Sequence, residues 1–394
     1  MRQGLIAFVL SFSVWPPHLY AQWPQWRGSM RNGVSAETHL LKSWPAEGPK
    51  LLWSCETIGA GYSSAVIQDG RVYVTGQKED AYTMTALNLD GTLVWEKKIG
   101  DADREDETGE CSTPTFYKDK LYTFTRAGRL CCIEPQTGDV VWAVNIPETF
   151  KVESHVCESP LVVDDKVIVT PFGATATVLA LNRLTGETLW QSEHVTDKTA
   201  YVSPVLVQGK TKKVMVTNGQ EHVLALDLAN GKIVWQGDLT RESYVPVQDD
   251  HQVYLPSGMM LHVDPDQGRV DTQWQDPLRI CVFGGGVKVG DRIYATHENG
   301  SGMVCLDGES GQQLALNKKI KAASLVAADG LIYSYENRNG RVSLIKPAEG
   351  AIEVISSFRI RKGKGQHLAH MSIANGILFI RHGDTLMAYD IKSS

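Results

Sequence analysis

The sequence predicts an all-β fold: an eight-bladed β-propeller of four-stranded antiparallel blades, closed by an N-terminal strand that completes the last blade. Three observations carry this reading. A turn-and-tryptophan motif repeats along the chain, strand-length apolar runs alternate with tight-turn residues, and each end of the chain holds part of one blade. The motif is clearest as Ala86-Leu-Asn-Leu-Asp-Gly-Thr-Leu-Val-Trp95, Cys132-Ile-Glu-Pro-Gln-Thr-Gly-Asp-Val-Val-Trp142, Ala180-Leu-Asn-Arg-Leu-Thr-Gly-Glu-Thr-Leu-Trp190 and Ala225-Leu-Asp-Leu-Ala-Asn-Gly-Lys-Ile-Val-Trp235. Weaker copies start at His262, Cys305 and Leu344, and a shortened one starts at Ala388. From Trp53 to Trp274 these tryptophans recur every 39 to 48 residues, a period typical of units that bury their apolar faces only by stacking on neighbours.

The second unit shows the internal plan of a blade. Pro114 to Tyr117, Lys120 to Thr125, Leu130 to Ile133 and Val140 to Val144 read as strands, with turn material at Lys118-Asp119, Arg126 to Gly128 and Gln136 to Gly138. Four short strands without helical periodicity make one propeller blade. The last unit, from Ser372 to Ile391, stops before its tryptophan strand, whereas Leu51-Leu-Trp53 is a tryptophan strand with no blade ahead of it. Joining the two completes the ring and leaves no open sheet edge.

Within each unit the turn glycine, such as Gly138, Gly186 or Gly231, tolerates positive φ at no steric cost. Trp53, Trp95, Trp142, Trp190 and Trp235 are read as docking residues, each with its face on the next blade and its indole N–H on a turn carbonyl. Ala315 and Val354 are read in the tryptophan place of blades six and seven, which implies looser docking there.

Composition excludes several classes. With 394 residues, 42% hydrophobic and 21% charged, the chain is an ordinary globular protein, and a net charge of −6 gives no pull toward nucleic acid or anionic membranes. Arg2, the apolar run Leu5 to Val14 and Leu19-Tyr20-Ala21 read as an export signal over residues 1–21. An extended segment, 22–47, then precedes a single propeller domain, 48–394. No later run is long and apolar enough to span a bilayer, so a periplasmic or extracellular protein is expected. The seven cysteines are an odd number, so at least one stays unpaired within the chain.

The motif Ala-x-Asp-x-x-Thr-Gly-x-x-x-Trp resembles the tryptophan-docking repeat of PQQ-type (quinoprotein-like) eight-bladed propellers, over about residues 50–391. The opening Trp23-Pro-Gln-Trp-Arg-Gly28 is similar to the start of many exported bacterial proteins of this repeat class. The resemblance implies either a quinoprotein dehydrogenase or a non-catalytic scaffold of the BamB type. A dehydrogenase implies PQQ on Ca²⁺ held by carboxylate and amide oxygens, an aspartate base, a tryptophan floor and a vicinal disulfide as lid. Here Cys131 and Cys132 fall in a third strand, where small apolar residues stand in the other copies, and no Asp-Asn or Glu-Asn pair matches. Outside the repeat, tryptophans occur only at Trp15, Trp23, Trp26 and Trp44. A covalent haem motif, a nucleophile elbow, a phosphate loop and a zinc-protease motif are all missing from the sequence. The expectation is therefore a binding propeller with no catalytic residues and no resident cofactor, with a divergent PQQ-dependent oxidoreductase as the alternative. Carbohydrate binding or hydrolysis is a third reading, since Tyr62, Tyr201 and Tyr244 near the mouth would suit sugar stacking.

Loops running from an outermost strand to the next innermost strand converge on one mouth of the central channel. Alignment of the units puts Gly61, Cys111, Cys157, Tyr201, Ser243, Phe283, Lys321 and His367 at equivalent points there. The candidate mouth residues are His155, Glu158, Tyr201, Tyr244, Phe283, Arg361, Lys362, His367 and His370. An acidic connection from Asp101 to Glu110 and a basic one from Arg359 to Lys364 read as solvated loops or as opposed charge patches for an envelope or extracellular protein. His367 and His370 have an i, i+3 spacing but lack a third ligand, so no metal site is expected. Cys111 and Cys157, on neighbouring innermost strands, are a candidate disulfide.

Overall fold

The computed structural model describes residues 22–102, 109–150, 157–239, 245–275, 284–297, 300–348 and 350–393. The export-signal reading over residues 1–21 lies outside them. Eight antiparallel sheets form the ring. Seven blades follow one another over residues 66–101, 115–145, 161–191, 205–238, 247–275, 287–317 and 323–359. The eighth joins Ser372–Ala374, Ile377–His382 and Thr385–Asp390 to Lys50–Cys55 as its outermost strand. The chain ends thus share one blade, and closure is by backbone ladder, Trp53 standing opposite Ala388. Ile146–Phe150 is the one helix among the described residues, and none is long and apolar enough to cross a membrane.

A bulge in every blade sets the docking geometry. The pairing of third and outermost strands slips by one residue just ahead of the docking position, so that Trp95 faces Ala86 while Leu93 faces Leu87. The same slip recurs in the other seven blades. The extra residue bends the strand and re-aims the side chain that follows. Five indoles then donate to carbonyls of the next blade: Trp53 to Leu89 (2.7 Å), Trp95 to Pro135 (2.9 Å), Trp142 to Arg183 (3.0 Å), Trp190 to Leu228 (3.2 Å) and Trp274 to Gly308 (3.1 Å). The rings lie against the turn glycines. A Cβ at Gly231, where φ is +75°, would sit 2.3 Å from Trp190 Cε3, and one at Gly138, at +76°, would sit 2.5 Å from Trp95 Cε3. Trp235 packs half-buried between blades four and five.

Blade seven corrects the sequence alignment. Its docking position is Ser356, opposite Leu344, whereas Val354 pairs with Ile345 before the bulge. The missing indole comes from elsewhere in the chain. Trp44 is buried, donates its backbone N–H to Ser356 Oγ at 2.9 Å, and lies 5.7 Å from the Tyr333 ring and 5.5 Å from Phe358. In blades one, two and five the equivalent Tyr73, Tyr122 and Tyr254 pack on the blade's own tryptophan. The N-terminal segment therefore supplies the aromatic packing that blade seven lacks, though the Trp44 indole N–H has no carbonyl partner.

The apolar core is a set of seams between blades. Cys131 belongs to the seam of blades one and two, and Cys132 to that of blades two and three. Their opposite facing follows from strand alternation. Burial pushes their thiols up to about 12 and about 11, and both act as packing residues.

Residues 22–35 plug the channel. Trp23 exchanges backbone hydrogen bonds with Ile67 of blade one, and Pro24 accepts from Phe116 of blade two. Arg31 reaches the Ser159 and Pro160 carbonyls of blade three, and Val34–Ser35 runs parallel to the innermost strand of blade seven. Arg27 and Arg31 are fully buried cations whose Nη groups donate to carbonyl oxygens, while the Nε of each is buried without a partner.

Candidate functional site

Ahead of each innermost strand, alternate residues face the channel. Tyr62, Cys111, Cys157, Tyr201 and Leu368 come from one equivalent point in blades one, two, three, four and eight. Ser64, Thr113, Ser159, Ser203, Val245 and His370 come from a point two residues on. Together with Gly365, Gln366 and Trp26 of the plug they enclose a cavity of about 630 Å³ at the channel mouth. That volume suits a small organic ligand.

The hydroxyl positions are tied into a ladder. Ser64 N–H donates to Thr113 Oγ1 (2.8 Å), Thr113 N–H to Ser159 Oγ (3.0 Å) and Ser159 N–H to Ser203 Oγ (2.9 Å). Each blade's amide orients the next blade's hydroxyl, so the cavity wall is preorganised. Ser64 Oγ, the first rung, is buried without a hydrogen-bond partner. Such an atom costs free energy unless something completes it.

Trp26 lies above the two plug arginines, with Arg27 Cζ 5.8 Å and Arg31 Cζ 5.4 Å from its ring. His370 meets its edge, ring centroids 5.6 Å apart. Arg27 Nη1 stands 3.5 Å from His370 Nδ1, and because a guanidinium only donates, Nδ1 is the acceptor. Burial first, and the Arg27 charge second, hold His370 well below the ordinary histidine range. Apart from the Cys111 and Cys157 thiols, the described cavity wall is consequently uncharged, aromatic and hydroxyl-rich.

Of the candidate mouth residues, Tyr201 and His370 line this cavity, Tyr201 being largely exposed. His155, Tyr244 and Phe283 lie outside the described residues. The other four lie outside the described cavity lining. His367 does not face the channel: it stands one position further ahead of its innermost strand than Cys111 does, and Leu368 takes the facing point. Its ring is buried, with Nδ1 2.6 Å from the Tyr335 hydroxyl, and is stacked 3.7 Å from His382. Burial, then the His382 charge, bring it down to about 4. The same one-residue slip replaces Gly61 by Tyr62 in blade one. Glu158 points to the opposite side from its neighbours Cys157 and Ser159 and is buried, accepting from the backbone N–H and hydroxyl of Thr170, both at 2.8 Å. Arg361 and Lys362 are surface residues outside the described cavity lining, and Lys362 pairs with Glu56 at 2.8 Å. Their loop still contributes Gly365 and Gln366 to the wall, held by His382 between the Lys362 and Gly365 carbonyls.

Burial raises the Glu158 carboxyl to about 8 and that of Glu110 to about 7, from an ordinary 4.5. The folded protein then keeps protons that the unfolded chain releases, and stability falls as pH rises from about 4.5 to about 8. Glu158→Gln should flatten the urea-midpoint profile through this window. An unchanged slope would count against a buried protonated carboxyl.

A Ca²⁺-bound PQQ fits this cavity poorly. The described wall supplies a stacking surface in Trp26 but no carboxylate for the hard cation. The Nη groups of Arg27 and Arg31, beneath Trp26, are already engaged by carbonyl oxygens rather than free for a polyanionic quinone. Sequence reasoning set aside Trp26 as part of an N-terminal segment. The signal was the pairing of Trp26 with Arg27 in the opening motif, two large residues whose burial only the ring explains.

The closed ring, the docking indoles and the plugged mouth define a quinoprotein-like eight-bladed propeller. The family described as outer membrane protein assembly factor BamB (PQQ_2) matches residues 33–151 and 107–355, and the chain belongs to it. Among solved structures, BamB from Moraxella catarrhalis superposes with a TM-score of 0.64 at 17% identity, covering 87% of this chain and 100% of that one. The quinohemoprotein alcohol dehydrogenase of Comamonas testosteroni superposes with 0.69 at 12% identity, covering 95% and 81%. At these identities the likeness is one of fold. Among curated sequences, quinohemoprotein alcohol dehydrogenase ADH-IIG of Pseudomonas putida is 28% identical over 138 residues, 33% of this chain and only 19% of that protein's length. An uncharacterized Rickettsia conorii protein is 20% identical over 298 residues, 66% of this chain and 69% of the relative.

Proposed function

We propose that the chain is an exported, non-catalytic binding propeller whose mouth cavity receives a small uncharged ligand, or a group of that kind displayed by an envelope protein. The observation that carries this reading is the composition of the wall. Trp26, Tyr62 and Tyr201 offer stacking faces, Thr113, Ser159 and Ser203 offer hydroxyls already oriented by the neighbouring blade, and Ser64 adds a hydroxyl with no hydrogen-bond partner. Aromatic faces beside fixed hydroxyls suit polyhydroxylated ligands such as saccharides. The family description, an outer-membrane assembly factor, supports a protein partner in the envelope, and Arg361 and Lys362 would form the cationic rim that meets it.

Uncharged oligosaccharides should raise the melting temperature of the full chain and change its tryptophan emission, by ligand linkage. The response should vanish in Trp26→Ala. If the saccharides are silent while PQQ with Ca²⁺ stabilises the protein tightly, the non-catalytic reading fails and the oxidoreductase alternative stands.

A further inference from the structure

Two thiols meet across the seam between blades two and three. Cys111 and Cys157 occupy equivalent points, both line the mouth cavity, and both are partly exposed free thiols. Arg126 reaches both, its Nη1 lying 3.0 Å from Cys157 Sγ and 3.9 Å from Cys111 Sγ. The two blades are held together at this level by the 3.0 Å hydrogen bond from Thr113 N–H to Ser159 Oγ. Among the other described cysteines, Cys131, Cys132 and Cys305 are buried, and Cys55 is partly exposed on the outermost strand of blade eight.

The surroundings make the pair unequal. A hydrogen bond from Cys111 and the Arg126 charge draw Cys157 below the ordinary thiol range, against the effect of burial. The same hydrogen bond, burial and the neighbouring Cys157 and Glu110 push Cys111 well above it. Cys157 is therefore the more readily ionised thiol of the pair, and Cys111 the one that holds its proton more tightly.

We propose that Cys111 and Cys157 are a redox-active dithiol that reacts with low-molecular-weight disulfides entering the mouth cavity and closes to an interblade disulfide. The Cys157 thiolate attacks one sulfur of R–S–S–R, forms a Cys157–S–S–R bond and expels one thiolate. Cys111 loses its proton, and its sulfur attacks Cys157 Sγ, expelling the second thiolate. Two protein thiols are oxidised, one disulfide is reduced to two R–SH, and the protons of the protein thiols end on those products. Arg126 stabilises the attacking thiolate. The site does not depend on which ligand the cavity takes.

The test uses the reduced full chain with 2-hydroxyethyl disulfide near neutral pH, acid quenching, and intact and peptide mass spectrometry. Wild-type protein should become lighter by two hydrogen atoms, with the Cys111 and Cys157 peptides linked. Cys111→Ser should stop at a mixed disulfide on Cys157, whereas Cys157→Ser should give no adduct on Cys111. Adding Arg126→Gln to Cys111→Ser should slow adduct formation roughly tenfold, the effect of one nearby cation on thiolate population. The proposal is overturned if the Cys111 and Cys157 peptides of the wild-type protein stay reduced and unlinked while Cys55 is modified. It is equally overturned if Cys111 in the Cys157→Ser protein reacts as fast as Cys157 in the Cys111→Ser protein.

Discussion

Arg381→Met should lower the stability of the propeller by about 3–5 kcal/mol, the cost of breaking a buried, fully hydrogen-bonded charge site. Arg381 stands on the second strand of blade eight and is fully buried. Its Nη1 donates to Ser63 Oγ (2.5 Å) and the Thr75 carbonyl (2.6 Å), its Nη2 to the Gly59 carbonyl (2.9 Å), and its Nε to the Gly383 carbonyl (2.8 Å). Gly59, Ser63 and Thr75 belong to blade one or its approach, so one side chain rivets the seam where the ring closes. The methionine variant fills a similar volume but leaves these acceptors unsatisfied in a dry site. Arg381→Lys should recover part of the loss, since an ammonium keeps the charge without the planar fork. Equilibrium unfolding in urea checks both. A change below about 0.5 kcal/mol, the usual range for an unimportant surface site, would refute the rivet.

Arg27→Met should be of similar size, about 3–5 kcal/mol, and should also open the floor of the cavity. Arg27 donates to the Leu325 carbonyl of blade seven at 3.2 Å and to the Asn32 carbonyl of its own segment at 2.9 Å, and reaches the Gly286 carbonyl beside blade six. It thereby pins a segment whose other anchors lie in blades one, two, three and seven. Without it, the plug should loosen and Trp26, only 6% exposed in the folded protein, should move toward water. The expected readout is red-shifted tryptophan emission at denaturant concentrations where the blades stay folded. Loss of stability with unchanged emission up to global unfolding would show that Arg27 holds the ring but not the plug.

The limits of sequence reading show at particular residues. The strand bounds of blade two, Thr115–Tyr117, Lys120–Phe124, Arg129–Ile133 and Val140–Asn145, lie within one residue of those expected, because period-two patterning and turn residues are local signals. The bulge before each docking tryptophan was invisible, since it is a property of two paired strands, and Val354 was consequently placed where Ser356 belongs. His367 was assigned to the mouth by the same kind of slip. An offset of one position in a connection reverses which side chains face the channel, and nothing local marks it.

The sequence by itself determined the ring: eight units, the docking indoles, the glycine turns and closure by both chain ends. Each of these is a repeated local pattern whose burial partner is the next copy of itself. Only the tertiary structure decided the site. Trp26 and Arg27 from the plug, Trp44 in the docking place of blade seven, and Cys111 beside Cys157 are contacts between segments that no repeat relates. A cavity at the centre of a ring is built from one or two residues of each blade, and their facing is set by register and by the segment that fills the channel, not by any run of neighbouring residues.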